Sequence, residues 1–286
     1  MSAASDLAQR LDLAKHTRSW RGTCPACDYP RAFTLKASRD GRPVTFCANG
    51  CDAATIADTL ARITGTTTRT ETPKPDDIAA ARLRKQQAAL RLWAGSAPAL
   101  GTLVAVYLRR RCISEITPSA SIRFRADTPH PERGRHPAMI ALVQDVTGAA
   151  VAVHRTYLDR TGAKAAIEPP KASLGPVWGG AIRLDALHPD LPLVLGEGIE
   201  SAASAGLLTG WPAWAALSAG NLARGLLLPP EARHVAIAVD PDPAGEQAGR
   251  TAALRFMAEG RRVQLLRPRA AGDFNDLLMA EGRTDG

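Results

Sequence analysis

Three short acidic segments combine residue types that can hold a divalent cation. Each of the first two segments ends a short apolar run and is followed by Gly or Pro and then by a helical pattern. An apolar run in this setting is typical of a buried parallel strand. Because ligands bind at the carboxyl ends of such strands, we expect these carboxylates to converge. Oxygen ligands of this kind suit Mg²⁺ or Mn²⁺. The segments contain Glu197 and Glu200, Asp240 and Asp242, and Asp273 and Asp276.

Taken singly, each acid is equally well an ordinary loop residue or the N-cap of the next helix. In this order and spacing, however, the three segments resemble the Toprim domain, the metal-binding module of bacterial primases, topoisomerases and some nucleases. The resemblance implies that Glu197, Asp240 and Asp242 are catalytic and bind Mg²⁺ or Mn²⁺. It also implies that Asp273 or Asp276, with Glu200, assists them.

The elements that must position these acids follow a strand–helix alternation, which predicts an α/β fold with a parallel sheet. The predicted strands cover residues 193–197, 213–217, 235–239 and 263–266, and the predicted helices cover 199–208, 244–259 and 273–279.

Four cysteines near the N-terminus predict a structural zinc site. They form Cys-x2-Cys and Cys-x3-Cys pairs, and the Asp40-Gly41 turn between two alternating runs predicts a hairpin that joins the pairs. Four thiolates around zinc leave no open position for water, so the ion would support a small fold. The alternatives are two unrelated pairs of reduced thiols, or a site in which His16 replaces one cysteine. The predicted ligands are Cys24, Cys27, Cys47 and Cys51.

Around the cysteines, residues 3–15 are predicted to be helical. So are residues 53–63, with Asp52 as N-cap and Gly65 as the stop. The segment 65–77 lacks periodicity and is predicted to be a linker.

The middle of the chain is basic and mixes helices with a hairpin. Helices are predicted over 76–93 and 103–111, and a β-hairpin over 138–158. Arg109 belongs to a run of three arginines, which is either a solvated helix end or a phosphate contact. Lys164 and Lys171 are predicted in irregular chain, and His154 in a strand is expected to be a hydrogen-bonded structural residue.

Composition favours a polyanionic partner. The chain has 286 residues, 45% of them hydrophobic, and 36 Lys and Arg against 28 Asp and Glu, for a net charge of +8. Such a charge favours nucleic acid binding. No apolar run approaches the ~20 residues of a membrane span, and the N-terminus lacks a signal-peptide pattern. A cytoplasmic location and reduced thiols are therefore expected.

The whole arrangement resembles the DnaG-type bacterial primases, particularly the phage and plasmid forms. The resemblance rests on the zinc module, the segment from Val104 to Phe124 and the three acidic segments. It implies a zinc ribbon at 1–64, a linker at 65–77, a basic α+β primase-core subdomain at 78–190 and a Toprim domain at 191–286. By resemblance, Arg155, Lys164 and Lys171 contact template or nucleotide phosphates.

The activity implied is synthesis of short RNA primers from nucleoside triphosphates on single-stranded DNA, with two metal ions. Because the chain has no helicase segment, a helicase is expected to act in trans. Phe33, Phe46 and Lys36 would form a template-binding face on the zinc module, although the aromatics, Phe46 above all, are equally predicted to be core. The alternatives are a Toprim nuclease and a non-catalytic DNA-binding accessory protein of a mobile element.

Overall fold

The computed structural model describes residues 3–16, 19–26, 32–38, 41–47, 51–65, 75–117, 119–132, 134–269 and 272–281. Cys27, Asp40 and most of the predicted linker lie outside these ranges. By its internal contacts the chain divides into two compact units, residues 1–79 and 80–286.

The first unit is a four-stranded antiparallel sheet with two helices. Its strands lie in the order of the chain, and one face carries a core that includes Phe33, Leu35, Ile56 and Leu60. The observed unit is thus a small sheet packed with two helices. Bound zinc and a zinc-ribbon geometry remain predictions. Its elements are α1 (Ala3–Arg10), β1 (Ala14–His16), β2 (Ser19–Gly22), β3 (Phe33–Ala37), β4 (Pro43–Cys47) and α2 (Ala53–Thr64).

Two predictions in this unit are wrong. Helix α1 stops at Arg10, because Asp12 adopts a left-handed backbone conformation (φ 49°) and the chain then enters strand β1. Phe46 is not a core residue: its side chain is 64% exposed on edge strand β4, whereas Phe33 is fully buried. The two residues lie on opposite faces because Phe46 pairs with Thr34, one position along from Phe33.

Helix α2 has the ends that the sequence predicts. The Asp52 carboxylate accepts a hydrogen bond from the Thr55 backbone N–H at 2.8 Å, as an N-cap does. Gly65 takes a left-handed conformation (φ 66°) and donates its N–H to the Ala61 carbonyl at 2.9 Å. This prediction is confirmed.

The second unit contains two five-stranded sheets. The first is antiparallel, in the order β5-β6-β7-β8-β9, and confirms the predicted hairpin as β7 and β8. Lys171 is not in irregular chain but opens strand β9, where it pairs with Thr156. The elements here are the greater part of α3 (Pro75–Ala94), β5 (Ala97–Pro98), α4 (Leu103–Arg110), β6 (Ile122–Pro129), β7 (Arg135–Gln144), β8 (Ala150–Tyr157) and β9 (Lys171–Leu174).

The last sheet is the predicted parallel one, in the order β10-β12-β11-β13-β14, and its first strand is an antiparallel edge that the sequence did not indicate. Its elements are β10 (Ile182–Arg183), β11 (Leu193–Gly196), α5 (Ile199–Thr209), β12 (Ala213–Ala215), β13 (His234–Ala238), α6 (Pro243–Ala258), β14 (Arg262–Leu266) and α7 (Phe274–Glu281).

One core joins the two sheets of the second unit. Tyr107 and Leu108 of α4 pack in the same buried cluster as Ile199 and Ala202 of α5. The first turn of α5 is therefore fixed against both sheets. Over the described part of the chain, every helix is too short or too polar to cross a bilayer.

Candidate active site

Adjacent parallel strands bring the first two acidic segments together. Gly196, the last residue of β11, is in register with Ala238, the last residue of β13. Glu197 follows the first strand directly, and Asp240 follows the second by two positions. Both carboxylates therefore leave the sheet at its carboxyl edge, where parallel α/β sheets bind ligands.

A cavity of about 300 Å³ lies at this edge and is lined by charge of both signs. Its acids come from the ends of β11 and β13, the start of α5 and the loop before α7. Its basic side chains come from the residue after α4, from the segment between β8 and β9, and from the first residue of β9. The charged residues in the lining are Glu197, Glu200, Asp240, Asp273, Arg111, Lys164 and Lys171, and His154 lies among them.

Asp240 is the acid whose charge the fold compensates least. Its Oδ1 atom is buried and has no hydrogen-bond partner. Burial raises the pKa of Asp240, and the negative charges of Asp273 and Asp242 raise it further, against the lowering effect of the Ser201 hydroxyl and Lys171. A buried carboxylate oxygen in this position suits a metal ligand.

Asp242 caps helix α6. Its Oδ1 accepts a hydrogen bond from the Gly245 N–H at 2.6 Å, and its side chain is exposed and outside the cavity lining. It remains near enough to raise the pKa of Asp240. The structure thus brings Glu197, Asp240 and Asp273 to one cavity and holds Asp242 beside it.

Asp273 and Asp276 cap each other at the start of α7. The Asp276 N–H donates to Asp273 Oδ1 at 2.8 Å, and the Asp273 N–H donates to Asp276 Oδ2 at 3.1 Å. Only Asp273 lines the cavity. The reciprocal bonds fix the direction in which Asp273 enters it.

Glu200 is buried and paired. Its Oε1 accepts a hydrogen bond from the Tyr107 hydroxyl at 2.5 Å, and its Oε2 lies 2.9 Å from Lys171 Nζ. Burial alone would raise the pKa of Glu200, but Lys171 and Tyr107 hold it well below its ordinary value. Burial, followed by the negative charge of this carboxylate, raises the pKa of Tyr107.

The other predicted basic residues occupy three different environments. Lys164 lines the cavity, where burial and then the Lys171 charge lower its pKa. Arg155 is 6% exposed and donates to the carbonyls of Ala172, Pro129 and Ser173. Arg109 is exposed on α4 and does not line the cavity.

Three further residues complete the site. Sequence reasoning did not single out Asn275 or His154 as functional, and it considered Arg111 only as part of a run of three arginines. Arg111 lines the cavity and donates to the side chain of Asn275 at 3.1 Å. Asn275 is fully buried and also bonds to the Arg111 carbonyl and to Ser204. His154 contacts Ser173 at 3.0 Å through Nδ1, and burial followed by the Lys171 charge lowers its pKa to about 3. The sequence signals were Asn275 inside an acidic motif and Arg111 at a helix end.

The cavity carboxylates fit a divalent cation without being closed around one. Among the described residues, no three of these carboxylates bring oxygen atoms within 4.8 Å of one another. The unpartnered Asp240 oxygen is where a cation would add a ligand bond. The residues that fit Mg²⁺ or Mn²⁺ are therefore Glu197, Asp240 and Asp273.

In the first unit, three cysteines form a cluster. The Sγ atoms of Cys24, Cys47 and Cys51 all lie within 4.8 Å of one another, and those of Cys24 and Cys51 are 3.9 Å apart. The fourth predicted ligand, Cys27, lies outside the described residues. Three converging thiols suit zinc, which Cys27 would complete.

Two family models match the second unit. Residues 83–184 match a domain of unknown function (DUF7146), and residues 192–284 match the Toprim domain. The Toprim match covers all six acids of the three segments. A comparison with curated proteins found no significant match.

Solved structures similar to the chain include three primase fragments. The primase fragment of the bacteriophage T7 primase-helicase protein is 14% identical, with 94% of this chain and 98% of that chain covered and a TM-score of 0.44. A DNA primase domain from Pseudomonas aeruginosa is 15% identical, with 69% and 75% covered and a TM-score of 0.46. The E. coli primase catalytic core is 16% identical, with 70% and 77% covered and a TM-score of 0.45.

Proposed function

We propose that this chain is a DNA primase that joins ribonucleotides into short primers on a single-stranded DNA template. The observation that carries the proposal is the cavity in which Glu197, Asp240 and Asp273 face Arg111, Lys164 and Lys171. Acids that suit a divalent cation, beside bases that suit phosphate, are the chemistry of nucleotidyl transfer. The Toprim match over the acids supports it.

In this proposal, Glu197, Asp240 and Asp273 hold Mg²⁺ or Mn²⁺, with Asp242 beside them. When bound, these ions lower the pKa of the primer 3′-hydroxyl and offset the charge of the triphosphate. Lys164, Lys171 and Arg111 attract the phosphates and orient them toward the acids. The net charge of +8 assists template binding, which should weaken as salt rises.

Zinc in the first unit has a structural role in the same proposal. Cys24, Cys47 and Cys51, completed by Cys27, would hold the ion. A four-thiolate site leaves no position for substrate, so zinc would stabilise a unit that binds the template. Exposed Phe46 offers a face on which a base can stack. A helicase supplied by another chain would be the partner.

The test is a primer-synthesis assay with single-stranded DNA, labelled ribonucleotides and Mg²⁺. We expect short RNA products that disappear with EDTA and in Glu197→Gln, whose melting temperature should stay close to that of the unmodified protein. Glu115→Gln makes the same chemical change at an exposed site outside the cavity and should retain product.

Two outcomes would contradict the proposal. A shortened DNA strand without RNA product would indicate a Toprim nuclease. Intact DNA with no product, from folded protein that binds the DNA, would indicate a non-catalytic accessory protein.

A further inference from the structure

Glu200, Tyr107 and Lys171 form a buried cluster that draws on three separate elements. Tyr107 lies on α4, Lys171 opens strand β9, and Glu200 lies in the first turn of α5. Each carboxylate oxygen of Glu200 has its own partner, the Tyr107 hydroxyl on one side and the Lys171 ammonium on the other. The cluster thus ties both sheets of the second unit together beside the cavity.

This pairing gives Glu200 a different task from the other cavity acids. Its side chain is 10% exposed, and both oxygens are already used. By contrast, Asp240 has a buried oxygen without a partner. Removing Glu200 from its partners to bind a metal would leave the half-buried Lys171 ammonium and the buried Tyr107 hydroxyl without this partner, which is costly.

Lys171 is the member of the cluster that reaches the cavity. Its side chain is 30% exposed and lines the cavity, and its charge influences Asp240, His154 and Lys164. A lysine ammonium sits on a flexible four-carbon chain that does not hold one position unaided. Glu200 and Tyr107 supply the missing constraint.

We propose that Glu200 and Tyr107 are positioning residues that hold the Lys171 ammonium in the cavity, ready to bind a phosphate group. The proposal rests on the proposed function, because it names the residues that orient a phosphate-binding base. The phosphate belongs either to the triphosphate of an incoming nucleotide or to the template backbone. Glu200 is in this view the anchor of Lys171 and not a ligand of the metal.

Two binding measurements test the proposal without any chemical turnover. The first is titration of inorganic tripolyphosphate with Ca²⁺, and of a short single-stranded oligonucleotide, into the full chain. The second is titration of Mn²⁺ alone. We expect Tyr107→Phe and Glu200→Gln each to lower the affinity for one of the two phosphate ligands by about tenfold or more. The reason is that a misplaced Lys171 ammonium loses its contact with the phosphate. The affected ligand identifies the source of the phosphate.

The Mn²⁺ titration separates an anchor from a ligand. Glu200→Gln should keep the Mn²⁺ affinity of the unmodified protein, whereas Glu197→Gln should lower it. Tyr157→Phe is the matched control, since Tyr157 is also buried and donates its hydroxyl to Pro129 but does not line the cavity. That variant should keep its affinity for both phosphate ligands.

A double variant separates positioning from a merely structural role. Glu200→Gln with Lys171→Met removes the unpaired charge left by either single change, so the melting temperature should recover relative to Glu200→Gln. Phosphate affinity should not recover. Tyr107→Phe keeps its ring in the core and remains informative if Glu200→Gln does not fold.

Three results would overturn the inference. The first is a loss of Mn²⁺ affinity in Glu200→Gln as large as that in Glu197→Gln. The second is unchanged affinity for both phosphate ligands in Tyr107→Phe and Glu200→Gln. The third is no binding of either ligand by the unmodified protein. A failed primer assay alongside the expected binding results would reject primer synthesis and leave the positioning role standing.

Discussion

The acids of the cavity share one chemistry but differ in what surrounds them. Glu200 is paired with a lysine and a tyrosine, and Asp273 is fixed by a reciprocal cap. Asp240 keeps a buried oxygen without a partner and faces the negative charges of Asp273 and Asp242. The surroundings thus mark Asp240 as the residue that gains most from a cation.

Asp240→Asn should therefore stabilise the metal-free protein. Removing one buried charge relieves desolvation and repulsion, and we expect the melting temperature in EDTA to rise by about 2–4 °C. Added Mg²⁺ should raise the melting temperature of the unmodified protein and have less effect on the variant. Asp242→Asn keeps an N-cap at an exposed site and relieves only its repulsion of Asp240, so this matched control should raise the melting temperature in EDTA less than Asp240→Asn does. A lower melting temperature for Asp240→Asn in EDTA would contradict this account.

At this scale the sequence predicted residue types better than contacts. Strand-end patterns pointed to Glu197 and Asp240, whose shared cavity follows from the register of two strands. The pairing of Glu200 could not be predicted, because Tyr107 is 93 residues away and Lys171 is 29 residues away. Such contacts depend on how two sheets pack, which no local pattern encodes.

The start of helix α6 is the element that fixes Asp240. Gly245 lies so close to Asp240 that an added Cβ would be 2.5 Å from its carbonyl oxygen and 2.9 Å from its Cβ. Glycine at this position lets the first turn of the helix rest directly on the chain that carries the acid. The Asp242 cap holds that turn from its other side.

Gly245→Ala should lose both stability and activity. Replacing a glycine inside a helix with alanine normally stabilises the protein by about 0.5–1 kcal/mol. Here the new methyl group must displace Asp240, so we expect a net loss of about 1–3 kcal/mol and a lower rate of primer synthesis. Gln247→Ala, at an exposed position of the same helix, should retain both. A Gly245→Ala protein as stable as its parent would show that the turn can move away from Asp240.

Elements with strong periodicity or clear caps were predictable. Helix α2, the hairpin of β7 and β8 and the parallel strands all follow from apolar spacing and from residues such as Asp52 and Gly65. Strand β9 was missed because it has only four residues, and its one lysine, Lys171, suggests solvent rather than a sheet. Edge strand β10 was missed because two residues carry too little pattern to identify a strand.

At the scale of the whole molecule, the two compact units should differ in their dependence on metal. The first unit has a small core and a cysteine cluster, whereas the second has extensive cores of its own. Small domains of this size often need a metal to fold. Zinc loss should therefore unfold residues 1–79 and leave the melting of residues 80–286 unchanged.

Metal analysis and hydrogen exchange check this expectation. The purified protein should carry about one zinc per chain, and a strong chelator should raise exchange only in the first unit. Cys47→Ser should lose zinc, while Cys112→Ser, outside the cluster, should keep it. If amide hydrogens of the first unit stay protected from exchange after zinc removal, the core of this unit is sufficient to keep it folded without the metal.

From cysteine spacing, charge and periodicity, the sequence predicts a zinc module, a basic middle and an α/β end that carries the acidic segments. The sequence did not indicate that the basic middle and the α/β end share a core and a set of buried polar contacts. Tyr107 reaches Glu200, and Arg111 reaches Asn275, across more than 90 residues of chain.

These hydrogen bonds between distant segments have an evolutionary consequence. The segments 83–184 and 192–284 match two separate family models, as if they were modules that recombination could shuffle. The contacts between α4 and the acidic motifs make them a matched pair instead. A hybrid that took each segment from a different ancestor would need compatible tyrosine, glutamate, arginine and asparagine partners at once, so the two segments should be inherited together.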